Sequence, residues 1–196
     1  MSYTVLLCGV GGQGTILAAH ILADVAMRCG LDVKVSEIHG MAQRGGAVTT
    51  VVSFGEEVMS MVCGKGCADM IISFEMLEAL RNCDQLKQGG TMIVSDEIIK
   101  PASVLTGRME LPHDMQGMLF DMGALLVPAE ATAREAGNIK ASNVVLLGAA
   151  SAVLDLSTEA WESAIADHVP PKTKDVNLKA FNAGRSFVQE HKGVAI

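Results

Sequence analysis

The stretch Leu7-Cys-Gly-Val-Gly-Gly-Gln-Gly-Thr-Ile16 decides how the rest of the chain is read, because an apolar run ends in it and a helical pattern begins after three spaced glycines. Gly9, Gly11 and Gly14 fit G-x-G-x-x-G, a spacing that serves a tight turn, close approach of backbone to a ligand and close packing of helix on strand. Two readings stay open here: a packing device, or a cradle whose amides, with Gly12 and Gln13 between the spaced glycines, meet a phosphate. Gly14 is followed by Thr15 and Ile16 instead of Lys and Ser or Thr. The turn is therefore no P-loop, and phosphoryl chemistry on ATP is disfavoured.

Outward from the turn, Tyr3 to Cys8 reads as a strand and Thr15 to Cys29 as a helix with Ile16, Leu17, Ala19, Leu22, Ala23 and Ala26 on its apolar positions. Gly30 stops it, and Asp32 to Ile38 is expected to be the second strand of a right-handed β-α-β unit. A dinucleotide fold would read the same way this far, with Glu37 as the acid for the ribose hydroxyls.

The pattern then departs. His39-Gly-Met-Ala-Gln-Arg-Gly-Gly46 is a loop, and Ala47 to Phe54, rich in Val and Thr, is a strand where a helix would be expected. Ligands of open α/β sheets bind beyond strand carboxyl ends, so His39, Gln43 and Arg44 are candidate ligand residues, with Gly45 and Gly46 clearing space. Arg44 could clamp a carboxylate or phosphate through two donors; the plainer reading is a surface turn with a solvated arginine.

Further on, Gly55 to Val58 suggests a hairpin turn leading into Met59 to Val62, and Asp69 to Phe74 a buried strand ending at Glu75. Helices are expected over Met76 to Cys83, Pro112 to Leu119, Glu130 to Ala136, Ser142 to Leu156, Thr158 to His168 with Ser157 as N-cap, and Asp175 to His191. Strands fall at Gly90 to Ser95 and Leu125 to Val127. The fold class is thus α/β: a Rossmann-like mixed sheet flanked by helices, with a helical C-terminal region, in one domain over residues 1–196.

With 196 residues, 49% hydrophobic and 19% charged, the chain can bury a sizeable core. A net charge of -7 and the lack of a basic cluster give no footprint for nucleic acid or a membrane surface. Met1-Ser-Tyr-Thr has no basic n-region, and Val144 to Leu156 falls well short of the ~20 apolar residues of a membrane span, so a cytoplasmic location is expected. The five cysteines include no C-x-x-C pair, which favours small buried thiols over a disulfide framework or cluster ligation. Cys63-Gly-Lys-Gly-Cys67 could bring two thiols together, yet no further metal ligand stands nearby in sequence. Met109, Met115, Met118 and Met122 read first as core filler and second as an adaptable partner-facing surface. Asn143 and Asn177 fall in helical regions and are expected to cap or cross-link helices.

Gly9-Val-Gly-Gly-Gln-Gly14, Ser36-Glu-Ile-His-Gly-Met-Ala-Gln-Arg-Gly-Gly46, Phe74-Glu-Met-Leu-Glu-Ala-Leu80 and Asn143-Val-Val-Leu-Leu-Gly148, in this order, resemble the β subunits of indolepyruvate:ferredoxin oxidoreductases, within the γ-type domain of 2-oxoacid:ferredoxin oxidoreductases. The resemblance implies oxidative decarboxylation of an aryl 2-oxo acid to its acyl-coenzyme A, with electrons passed to ferredoxin. It implies no cofactor held tightly by this chain: thiamine diphosphate, Mg and 4Fe-4S clusters are expected on a larger α subunit, since no Gly-Asp-Gly motif with paired Asn and no cysteine run is present. A phosphate of coenzyme A or of thiamine diphosphate is left for the glycine turn, and a cofactor phosphate or oxo-acid carboxylate for the loop from His39 to Gly46.

Overall fold

A computed structural model describes residues 2–39, 46–60 and 62–191, with residue 39 described by its backbone alone. Strands β1 (Ser2–Val10), β2 (Asp32–His39), β3 (Ala47–Gly55), β4 (Ala68–Ser73), β5 (Leu86–Ser95) and β6 (Leu125–Val127) form a sheet in the order β2-β3-β1-β4-β5-β6. β1 pairs parallel with β4, β4 with β5 and β5 with β6, while β3 runs antiparallel to both β1 and β2. The expected β-α-β unit is therefore opened: β1 and β2 point the same way, but β3 lies between them.

β1 is central, and Val5, Leu6, Leu7 and Cys8 are fully buried, as a strand covered on both faces requires. Alternation sends Val5 and Leu7 to one face with Val52, Phe54, Met70, Ile72 and Ile93. It sends Leu6 and Cys8 to the other, with Val51, Ile71, Met92 and Val94.

The first face is covered by α1 (Thr15–Arg28), α6 (Ser142–Ser151), α7 (Thr158–His168) and α8 (Lys174–His191), with α5 (Ala129–Ala136) beside them. α6 is buried from Asn143 to Ser151, the signature of a helix apolar all round. It meets α8 backbone to backbone: a Cβ on Gly148 would land on the Phe181 carbonyl, and one on Gly184 on the Val145 carbonyl. Trp161 and Phe181 stack tilted beside that contact, ring centroids 5.7 Å apart.

The second face carries less. α2 (Met76–Asn82) and α4 (Met115–Asp121) cover it over β1, β4 and β5, whereas among the described residues no helix covers its β2–β3 half. There Val58 is buried at 1% exposure, its N–H donating to Asp32 Oδ2 at 2.8 Å and its carbonyl accepting from Lys34 Nζ. Residues 62–67 approach the same region.

Most expected elements form, and the departures have local causes. Residues 59, 60 and 62 are not strand, because the chain folds back beside β2 instead of continuing the hairpin. β5 begins at Leu86 and not Gly90, through a register shift between Ala68 and Met70. α4 begins at Met115 because Asp114, not Pro112, is its N-cap, its Oδ1 accepting the Gly117 N–H at 3.0 Å. α6 ends at Ser151, short of Leu156, where Ser151 Oγ donates back to the Gly148 carbonyl at 2.7 Å. A one-turn helix α3 (Ala102–Leu105) was not expected at all. Of the cysteines only Cys8 is a buried free thiol; Cys29 is exposed, Cys83 partly so, and Cys63 and Cys67 are joined by a disulfide.

Candidate functional site

The order of parallel strands reverses between β1, whose chain leads by α1 to β2, and β4, whose chain leads to β5 and β6 on the other side. The crevice outside the carboxyl ends at such a switch is where open α/β sheets bind ligands. The glycine turn sits there.

Gln13 holds the turn in shape. Its Oε1 accepts the Val10 N–H at 2.8 Å and its Nε2 donates to the Phe74 carbonyl at 2.8 Å, joining the ends of β1 and β4. Gly9 is needed beneath it, since a Cβ there would lie 2.7 Å from Gln13 Oε1 and 2.9 Å from Phe74 Cβ. Gly14 has φ 79°, and a Cβ on it would stand 2.6 Å from Asn143 Nδ2. That amide donates to the Gly14 carbonyl at 3.4 Å, so α6 is cross-linked to the turn as expected of Asn143. Asn177 donates to the Thr173 carbonyl at 2.8 Å, tying the first turn of α8 to the 3-10 turn before it.

Gly11 donates to the Gly46 carbonyl at 3.0 Å, which brings the end of the His39 to Gly46 loop against the turn. His39 closes β2 opposite Val48. Gln43, Arg44 and Gly45 lie outside the described residues. Gly12, at φ 102°, faces open space.

α1 starts at Thr15 without a side-chain cap and without an acid in its first turn. Its first amides therefore lack intrahelical partners and carry the positive end of the helix dipole. Thr15 itself is 3% exposed, and its Oγ1 has no hydrogen-bond partner.

Two clefts flank the turn. One, of about 480 Å³, runs between the turn, the end of β5 and the start of α6, and contains Glu97, Glu130 and Lys140. Burial, then the charges of Glu130 and Asp96, push the Glu97 carboxyl up. The other, of about 330 Å³, is formed by Val10, Gly11, Gly12, Gly14, Thr15, Ile16 and Val48 and holds no acid. The second cleft presents the backbone of the turn and of the start of α1 and no acid, whereas the first presents two carboxylates beside Lys140.

Sequence reading missed Glu75. It is fully buried after β4, and its carboxylate caps α2 by accepting from the N–H groups of Leu77 (3.0 Å) and Glu78. Burial raises its pKa, against the lowering by these amides. The signal available was an acid directly before an apolar helical run. Cys8 lies close by on the second face, and burial pushes its thiol up to about 12.

Glu37 does not occupy a ribose-binding position. β3 displaces β2 from β1 by one strand spacing, ~4.8 Å, and the Glu37 carboxylate is 3.0 Å from His20 Nε2.

Residues 4–187 match the family model described as pyruvate ferredoxin/flavodoxin oxidoreductase. The chain belongs to this family. It is 42% identical to the indolepyruvate oxidoreductase subunit IorB of Thermococcus kodakarensis, covering 98% of each chain, and 40% identical to that of Pyrococcus horikoshii, covering 96% of each. Among solved structures it is similar to the keto/oxoacid ferredoxin oxidoreductase gamma subunit of Geobacter sulfurreducens, with TM-score 0.72, 28% identity, and 96% and 99% of the two chains covered. The likeness carried by the four motifs holds along nearly the whole chain, and the chain is an oxidoreductase subunit of the oxoacid:ferredoxin type.

Proposed function

We propose that this chain is the β-type subunit of an indolepyruvate:ferredoxin oxidoreductase, a single γ-type domain over residues 1–196 that works in the cytoplasm with a larger α subunit. The observation that carries the reading is the near full-length likeness to two relatives that both bear the indolepyruvate oxidoreductase name. The free-standing NAD(P) reading loses its support with Glu37 held by His20 and set apart from the turn by β3.

Oxidative decarboxylation needs an electron sink, supplied by thiamine diphosphate when bound, and clusters that pass electrons one at a time to ferredoxin. Among the described residues no group of three or more His, Cys, Asp or Glu could hold a metal, so these residues do not fit Mg or a 4Fe-4S cluster. The proposal gives both to the α subunit. Coenzyme A fits better: the acid-free cleft offers the uncapped start of α1, the open backbone at Gly12 and the orphan Thr15 hydroxyl, a donor set suited to a phosphate. The same proposal assigns Gln43 and Arg44 to that ligand on their place in the sequence, two positions or more before Gly46, whose carbonyl accepts from Gly11.

The α subunit, in the same reading, covers the second face. Leu105, Met109, Met118, Phe120 and Met122 stand exposed on or beside α3 and α4, an apolar and adaptable surface.

Reconstitution tests the reading. The lone chain is expected to be colourless and inactive, and to gain indolepyruvate-dependent dye reduction when combined with a cluster-bearing partner. Iron absorbance in the lone chain, or equal activity without a partner, overturns it. Thr15→Val tests the phosphate: it removes an unsatisfied buried hydroxyl, so the variant is expected to be at least as stable as wild type. Coenzyme A affinity of the complex should fall roughly two- to tenfold, the worth of one hydrogen bond. Unchanged affinity moves the phosphate elsewhere.

A further inference from the structure

Between β3 and β4, Cys63-Gly-Lys-Gly-Cys67 forms a tight turn at the edge of the uncovered half of the second face. Independently of the assignment above, we propose that Cys63 and Cys67 are a reversible dithiol–disulfide couple whose oxidised form pins residues 62–67 beside the open cleft over β2 and β3.

The cleft, of about 470 Å³, has Ser36, Ile38, Thr49 and Val51 of the sheet on one side and Val62 and Cys63 on the other. Its apolar side chains are open to solvent, Ile38 65% and Val62 86% exposed, with Asn82 and Asp84 at the rim. Position in the fold thus makes this disulfide the fastening of a segment with little burial of its own.

Three features make it reversible. It closes a loop of only five residues, at the small end of the chain-entropy range, so little stability opposes its reduction. Both cysteines are partly exposed, within reach of an attacking thiolate. The turn also has anchors that do not depend on sulfur: Gly66 N–H donates to the Asp84 carbonyl at 3.0 Å, Cys67 N–H to the Gly64 carbonyl at 3.3 Å, and Lys65 Nζ lies 3.3 Å from Asp84 Oδ2. These weaker contacts return the Cα atoms to near their 5.5 Å separation often enough after reduction for the bond to re-form, without fixing the segment as the covalent link does.

The step balances as thiol–disulfide exchange with a dithiol. One thiolate of the dithiol attacks a cysteine sulfur, breaking the Cys63–Cys67 bond and forming a mixed disulfide. The released cysteine thiolate takes a proton. The second thiol of the reductant then displaces the remaining cysteine, which is also protonated. Two electrons and two protons reach the protein, and the dithiol leaves as a cyclic disulfide.

The test uses the folded full chain with dithiothreitol as the dithiol, N-ethylmaleimide labelling and peptide mapping. Before reduction, Cys63 and Cys67 should be unlabelled; after it, both should be labelled while buried Cys8 stays unlabelled. Excess oxidised glutathione should restore the first pattern, with the Cys63–Cys67 link itself seen in the peptide map. Reduction should also speed amide exchange in residues 62–67 about tenfold or more, as expected of a local opening freed from its cross-link. Cys63→Ser should show that faster exchange without reductant and no response to it. A disulfide that yields only after denaturant, or thiols that stay free in excess oxidised glutathione, overturns the couple; exchange equal in both states overturns the pinning.

Discussion

The two faces of the sheet are built from the same strands and finished differently. On the first, α1, α6, α7 and α8 form a layer deep enough to bury α6 on every side and to bring Gly148 and Gly184 onto a neighbouring backbone. On the second, α2 and α4 cover the middle, while the β2–β3 half is left to Val58 and a disulfide-bound turn. Ile38, Met59, Val62, Met118 and Phe120 are exposed on the thin side, against Met27, Ile139 and Val153 on the thick one. Stability is thus concentrated on one face, and the other is free to be covered by something else.

The largest expected effect is on the thick face. Gly148→Val drives a branched side chain into the Phe181 backbone, and neither helix can step aside, so a loss of ~3 kcal/mol or more, or outright failure to fold, is expected in denaturant unfolding. A wild-type midpoint would show that α6 and α8 are not in backbone contact and would break the contrast.

Where the faces meet, at the turn, the effect should be intermediate. Gly14→Ala places a Cβ in a left-handed conformation and against Asn143, costing about 1–2 kcal/mol. Adding Asn143→Ala relieves the second cause and not the first. A double-mutant cycle should therefore show coupling, and strict additivity would separate the turn from α6.

On the thin face, Phe120→Ser should leave stability within about 0.5 kcal/mol of wild type, since the ring is 66% exposed. Affinity for the proposed α subunit should nevertheless fall tenfold or more, as for an aromatic anchor. Equal binding in a pull-down titration would move the interface off α4.

The smallest effect concerns pH. Burial raises the Glu75 pKa in the folded state, so its proton is held more tightly there than in the unfolded chain. Its contribution to stability is then fullest below the ordinary carboxylate value and falls as pH rises through the folded value. Glu75→Gln keeps one cap acceptor and removes the titration, so its unfolding midpoint should change less with pH than that of wild type across the same window. Parallel profiles would mean that Glu75 ionises without penalty.

Legibility followed periodicity. β6 and α7 were readable to the residue, because an apolar triplet and a capping Ser157, whose Oγ accepts from Ala160 at 3.1 Å, are local signals. The turn of Gly9 to Gly14 was visible, but its duties were not: Gln13, a candidate ligand residue, bridges Val10 and Phe74, and its bond to the Phe74 carbonyl spans sixty-one positions, which no local pattern encodes. The same holds for the methionines. Met115 is core, while Met109, Met118 and Met122 face outward, and helical spacing alone does not say which side of a short helix is covered. The disulfide was hidden for a different reason, since a C-x-x-x-C spacing is common to linked and unlinked thiols alike.

The insertion of β3 between β1 and β2 also bears on the order in which a growing chain can fold. β1 precedes its partners along the chain, yet its neighbours are β3 and β4, so β1, α1 and β2 by themselves contain no paired strands. Sheet formation must wait for Ala47 to Gly55 to emerge, and the long reach from β1 to its partners raises the contact order of the nucleus. Until then the nascent chain carries an apolar strand, Val5 to Cys8, with both edges unpaired, the condition under which chaperone capture competes with folding.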